Sequence, residues 1–285
     1  MAGRWLACVM ALSLGGCSAT GVLATLTASP KVEAVKDLAY APGPRHGIDV
    51  YRPRVPGPHP VVVFLYGGSW DSGSRRDYRF IGQTLAAEGV LTFIPDYRLY
   101  PEVRYPAFLE DNALAVRWVK DHAADYGGDP RRLFLIGHSA GAYNAVMLSV
   151  DRRWLAAAGM DPRRDVRGTI GLAGPYDFLP LRSEELKIIF GPEKSRPDTQ
   201  PINHVDGQAP PLLLMDDSKD KVVDPGNATR MAARVRASGG GVQAVIFPGL
   251  SHALLLGAMA RPLRFLAPVN AQVMAFIARE GGPAS

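Results

Sequence analysis

Gly137-His138-Ser139-Ala140-Gly141 is the segment whose residue types and spacing point most directly to chemistry. It follows the apolar run 133–136 and precedes 142–150, which reads as a helix, so the serine falls on a strand-to-helix turn. A serine between glycines in that setting is lifted above a sheet on a sharp, strained turn that only small neighbours allow. The following helix aims its amide dipoles at developing negative charge. A serine hydroxyl is a weak nucleophile and needs a base, which in turn needs an acid to orient it. For a turn of this kind the expected chain order is serine, acid, histidine.

Six histidines are present, and only His204 and His252 follow Ser139. Only His252 also follows the acidic stretch, in Pro248-Gly249-Leu250-Ser251-His252 just past the apolar run 242–247. That loop is expected to deliver it to the sheet edge that carries Ser139. His138 is expected to point elsewhere and to pack or hydrogen-bond within the turn. For the acid, the apolar run 211–215 opens into Asp216-Asp217-Ser218-Lys219-Asp220-Lys221-Val222-Val223-Asp224. Asp220 is the expected partner of His252, since Asp216 and Asp217 sit too near the strand end and Asp224 suits a helix cap. The oxyanion of acyl transfer needs convergent amide donors. The N–H of Ala140 is one candidate, and Gly67, Gly68 and Ser69 supply others from a loop whose glycines permit close backbone approach. Trp70 and Tyr143 suit either a lining of the acyl pocket or plain core packing.

These groups need a scaffold. Near-continuous apolar runs at 60–66, 90–95, 133–137, 166–172, 211–215 and 242–247, with a weaker alternation at 46–52, suit parallel strands buried on both faces. Between them, Leu109, Ala113, Val116, Val119 and Ala123 trace one helical face after Pro106, ending near Gly127-Gly128-Asp129-Pro130. Further helices are expected at 227–238, before three glycines, and at 263–279. The predicted fold is therefore α/β: a mostly parallel central sheet with helices on both faces, in one domain over 34–285. The stretch 176–209, rich in Pro, Arg and Glu, reads equally as a small cap or a long surface excursion.

The 285 residues are 47% hydrophobic and 21% charged, which excludes a disordered chain, a collagen-like fibre and a disulfide-stapled mini-protein. The net charge is +5, and the short Arg-Arg pairs do not merge into a stripe, so no nucleic-acid partner is expected. No His/Cys/carboxylate spacing suggests a metal, and no cofactor is implied. Both cysteines, Cys8 and Cys17, lie at the amino terminus. Residues 5–14 are apolar after Arg4, too few to span a bilayer but suited to a signal-peptide core. Leu14-Gly15-Gly16-Cys17 then resembles the lipobox of bacterial lipoproteins. That resemblance implies a signal peptide over 1–16, lipidation (a palmitate-bearing anchor) at Cys17, and residence in the cell envelope. Ser18 after the cysteine favours the outer membrane, and 17–33 reads as a tether.

The motifs Tyr66-Gly67-Gly68-Ser69-Trp70, DYRLYPEVRYPA (96–107), YGGDPRRLFLIGHSAG (126–141), DDSKDKVV (216–223) and Gly249-Leu250-Ser251-His252 resemble the α/β-hydrolase superfamily. The resemblance is to its carboxylesterase and lipase branch, including hormone-sensitive-lipase-like and feruloyl-esterase-like enzymes. It implies a serine hydrolase acting on carboxylic esters through an acyl-enzyme, with Ser139, His252 and Asp220 as its triad. The family usually carries His where this sequence has Tyr66, and His-Gly where it has Asp216-Asp217. Similar loops occur in isoprenylcysteine methylesterases and aryl formamidases, so amide cleavage and a non-catalytic envelope-binding role stand as alternatives. The segment at 96–102 is expected to pack beneath the Gly67 loop.

Overall fold

A computed structural model describes residues 19–282, so the lipobox and both cysteines lie outside the described residues. Its centre is one 8-stranded sheet in the order β1-β2-β4-β3-β5-β6-β7-β8. The strands are β1 (Val32–Ala39), β2 (Gly47–Pro53), β3 (His59–Leu65), β4 (Leu91–Pro95), β5 (Gly128–His138), β6 (Gly168–Leu172), β7 (Leu212–Asp217) and β8 (Val242–Phe247). β2 is antiparallel to β1 and to β4, and every pairing from β4 to β8 is parallel. The six apolar runs and the 46–52 alternation become β2 to β8.

β3 shows why those runs are continuous. Val61, Val63 and Leu65 enter the core on one face, and Val62 and Phe64 enter the core on the other. Helices cover both. α1 (Ala19–Thr27) and α2 (Arg79–Ala87) come first, then α3 (Ala107–His122), α4 (Ala140–Val150), α5 (Arg152–Ala157) and α6 (Pro162–Asp165). They are followed by α7 (Glu184–Ile189), α8 (Gly226–Ala237), α9 (His252–Gly257) and α10 (Val269–Gly281). All five residues of the face expected on α3 and just past it, Leu109 to Ala123, are buried.

Three expectations need correction. Of the stretch 17–33, the described residues 19–33 are not a simple tether: α1 packs on α2 with Ala24 buried in the core, and β1 opens at Val32. The last helix starts at Val269 rather than near 263, because Pro262 and Pro268 break the backbone hydrogen-bond ladder. β5 opens at Gly128 rather than at 133, with Gly128 paired to His59, while the helical stretch before it does stop at Gly127 as expected. The 176–209 stretch contains α7 and two short 3₁₀ turns, and its Phe178, Leu179, Leu181 and Leu186 form one wall of a cleft at the sheet's carboxyl edge.

Candidate active site

Ser139 stands between the end of β5 and the first turn of α4 with φ 54° and ψ −123°. A β-carbon at Gly137 would fall 2.1 Å from the Gly141 carbonyl oxygen, and one at Gly141 would fall 2.0 Å from that of Leu65. Only glycine fits at either place, so the strained serine is fixed by the packing of its own turn against β3. The Ser139 N–H donates to Leu172 O at 2.8 Å, which adds the end of β6 to the clamp.

The loop after β3 lies against this turn. Gly67 approaches so closely that a β-carbon there would lie 2.9 Å from the Ser139 Cβ. Gly68, Ser69 and Trp70 follow with φ of 128°, 50° and 63°. Left-handed backbone at two successive non-glycine residues costs on the order of 1–3 kcal/mol each and persists only when surrounding contacts over-determine it. Here the Trp70 Nε1–H donates to Asn144 Oδ1 at 3.0 Å, and the Tyr100 N–H donates to Trp70 O at 2.8 Å. Ser69 and Ala140 line the same cleft as Ser139, the arrangement that convergent amide donors require.

Tyr66, where the resembled family carries His, is buried and stacks on Tyr97 and Tyr78 with centroids 4.6 and 5.6 Å apart. Arg45 ties it down: Nη2 donates to Tyr66 Oη and to Gly73 O, each at 2.8 Å, and Nε donates to Tyr97 O at 2.9 Å. The Tyr97 hydroxyl donates to Tyr66 O at 2.7 Å, so the 96–102 segment does pack beneath the loop. Arg45 carried no sequence signal, because its three partners come together only in the folded chain.

His252 opens α9 after the Ser251 cap, and its Nδ1 lies 2.7 Å from Asp220 Oδ2. The other Asp220 oxygen accepts the N–H groups of Val222 (2.8 Å) and Val223 (3.0 Å), so the carboxylate is held from both sides. The three remaining aspartates do other things. Asp217 accepts Lys219 N–H on one oxygen and Leu250 N–H on the other, at 2.7 and 2.6 Å. Asp224 accepts the Gly226 N–H at the start of α8 and an Arg230 ion pair. Asp216 is buried at the strand end, and burial pushes its carboxyl up to about 7.

His138 bridges the nucleophile turn and the histidine loop. Its Nε2 lies 3.2 Å from His252 O, the two rings sit 4.8 Å apart, and burial, with the nearby His252, pulls its imidazole down to about 3. It is therefore neutral with the proton on Nε2, and it holds the backbone from which His252 projects.

The cleft beside Ser139, Ser69 and Ala140 holds ≈ 520 Å³; apolar side chains share its lining with Arg182 and with Arg230, which pairs with Asp177 and Asp224. Trp70 lines it. Tyr143 does not: it is fully buried among Trp70, Phe178 and Phe190, and its hydroxyl donates to Thr199 O at 2.7 Å. Of the two pocket candidates, Tyr143 is thus core, because α4 turns it under the 176–209 segment. Among the described residues, no three His, Cys, Asp or Glu side chains converge to hold a metal ion.

With Nδ1 engaged by Asp220, His252 has Nε2 left to take a proton. A strained serine, an oriented imidazole and nearby amides can together perform acyl transfer. Comparison with known proteins agrees in fold. The BD-FAE family profile matches residues 48–235. A probable isoprenylcysteine alpha-carbonyl methylesterase, ICMEL1 of Arabidopsis thaliana, is 27% identical over 76% of this chain and 50% of its own length. Esterase LipC of Mycobacterium tuberculosis is 30% identical over 78% of this chain and 61% of its own. The chain thus spans only about half to three-fifths of these curated relatives. Among solved structures, esterase B from Lactobacillus rhamnosus superposes with TM-score 0.78 at 18% identity, covering 89% of this chain and 87% of that one.

Proposed function

Because the chain belongs to the BD-FAE family and has the α/β-hydrolase fold, we propose that it is a carboxylic ester hydrolase working through an acyl-enzyme on Ser139. The observation that carries this is the 2.7 Å bond between His252 Nδ1 and Asp220 Oδ2, at the same sheet edge as a serine held at φ 54°. His252 Nε2 takes the proton as Ser139 Oγ attacks the ester carbonyl, and Asp220 keeps the imidazole in the useful tautomer. The amides of Ser69 and Ala140, which line the cleft beside Ser139, supply the donors for the oxyanion together with that of Gly68, while the Gly67 backbone is engaged by the Tyr78 hydroxyl. His252 then returns the proton to the leaving alcohol and activates water for deacylation. Trp70 and the apolar wall formed by Phe178, Leu179, Leu181 and Leu186 receive the acyl or alcohol group.

The amino terminus completes the proposal. A signal peptide over 1–16 is removed, Cys17 is lipidated, and the enzyme works from the bacterial envelope, on the outer membrane. The lipobox-like Leu14-Gly15-Gly16-Cys17 after an apolar run supports this. A nitrophenyl ester panel of increasing acyl length, with matched anilides and a Ser139→Ala control, tests the activity. Turnover of the esters, lost in the variant, is expected. Turnover of the anilides alone would replace the ester reading with an amidase one.

A further inference from the structure

α1 begins at Ala19, two residues after Cys17, and it is packed onto the domain: Ala24 is in the core, Leu23 lies against it, and the helix contacts α2 and the 261–263 turn. Two residues span at most about 7 Å. Acyl chains on Cys17 would therefore hold the domain against the headgroups, with no slack between anchor and fold.

We propose that the surface formed by α1 and residues 261–266 rests on an anionic lipid bilayer, its apolar side chains entering the acyl boundary. The inference builds on the lipid-anchor reading above. Val22 and Leu26, one helical turn apart, are 39% and 59% exposed. Leu26 and Lys31 share a surface hollow with Arg261 and Arg264. From that second segment Phe265 projects 81% exposed, with Leu266 at 36%. Neither Lys31 nor Arg261 enters an ion pair among the described residues, whereas Arg264 pairs with Glu88. Glu88, the acidic group in the hollow, is also bound by Asn270 and is thereby occupied. The face offers apolar side chains beside uncompensated cations, which complements acyl chains beneath anionic headgroups.

The test uses the full chain, purified from membranes and placed in phosphatidylcholine–phosphatidylglycerol vesicles containing brominated acyl chains. Phe265→Trp reports on the proposed face. Leu114→Trp is the control, an equally apolar site, 46% exposed, on α3. Bromolipid quenching above the parent's is expected for Phe265→Trp and not for Leu114→Trp. In a Cys17→Ala background, Phe265→Asp is expected to lower partitioning onto the anionic vesicles roughly tenfold or more. Palmitate labelling of Cys17 separates the two layers of the argument. Labelled protein without Phe265→Trp quenching overturns the docking face and leaves the anchor standing. Unlabelled protein whose Phe265→Trp is still quenched overturns the anchor and leaves the docking face standing. Protection of residue 265 in vesicle-free solution, together with a dimeric mass, makes this face a contact between two copies and overturns the proposal.

Discussion

Asp217 accepts the backbone N–H of Leu250 at 2.6 Å, and its second carboxylate oxygen accepts that of Lys219 at 2.7 Å. One buried side chain thus rivets the loop that carries Asp220 to the loop that carries His252, whose side chains meet at 2.7 Å. Asp217→Asn turns an amide N–H₂ toward one of these donors and should cost about 1–3 kcal/mol of stability. Because the two loops would separate, kcat should fall roughly tenfold to a hundredfold while KM changes little. Steady-state kinetics beside urea unfolding checks this. Loss of stability with kcat unchanged would reduce Asp217 to a purely structural residue.

His138 remains neutral in the folded chain down to about pH 3, whereas the unfolded residue takes up a proton near pH 6.5. Its contribution to stability is complete above about 6.5 and is lost as the pH falls toward 3. His138→Gln can still donate to His252 O but does not titrate. The drop in urea midpoint between pH 7 and pH 5 should therefore be smaller in the variant than in the native chain. An identical drop in both would remove His138 from the acid response.

Asp216 has the opposite sign. Burial raises its carboxyl from 3.8 to about 7, against the opposing bond from Asp217 N–H. Its contribution is complete below about pH 4 and is lost as the pH climbs through 7. Asp216→Asn mimics the neutral acid and does not titrate, so its stability gain over the native chain should be clearly larger at pH 8.5 than at pH 5. Urea midpoints at the two pH values measure the contrast, and an equal shift at both would contradict it.

Much of the scaffold is visible in the amino-acid sequence, because strands buried on both faces must be apolar throughout. β1 is not: it lies at the sheet's edge with a mixed burial pattern, and Val32-Glu33-Ala34-Val35 alone carries no decisive period. α1 is hidden for another reason: it is short and apolar on more than one side, with Leu23 and Ala24 packed inward and Val22 and Leu26 exposed, so it shows no amphipathic stripe. At the site, the turn around Ser139 is readable because steric limits leave only glycine at 137 and 141. The meeting of Asp220 with His252 follows from chain order and strand register. The supports are of another kind. Arg45 on Tyr66, Asp217 on Leu250 and His138 on His252 O join residues 21, 33 and 114 positions apart, and no local pattern specifies them.

The central claim is that Ser139 is a nucleophile activated by His252. Its most direct test is labelling with a fluorophosphonate probe, read by mass spectrometry of the labelled peptide. One adduct per chain on Ser139 is expected, absent in Ser139→Ala and slowed at least roughly a hundredfold in His252→Ala. Absence of an adduct on the folded native chain, or labelling that proceeds equally well without His252, would contradict the account.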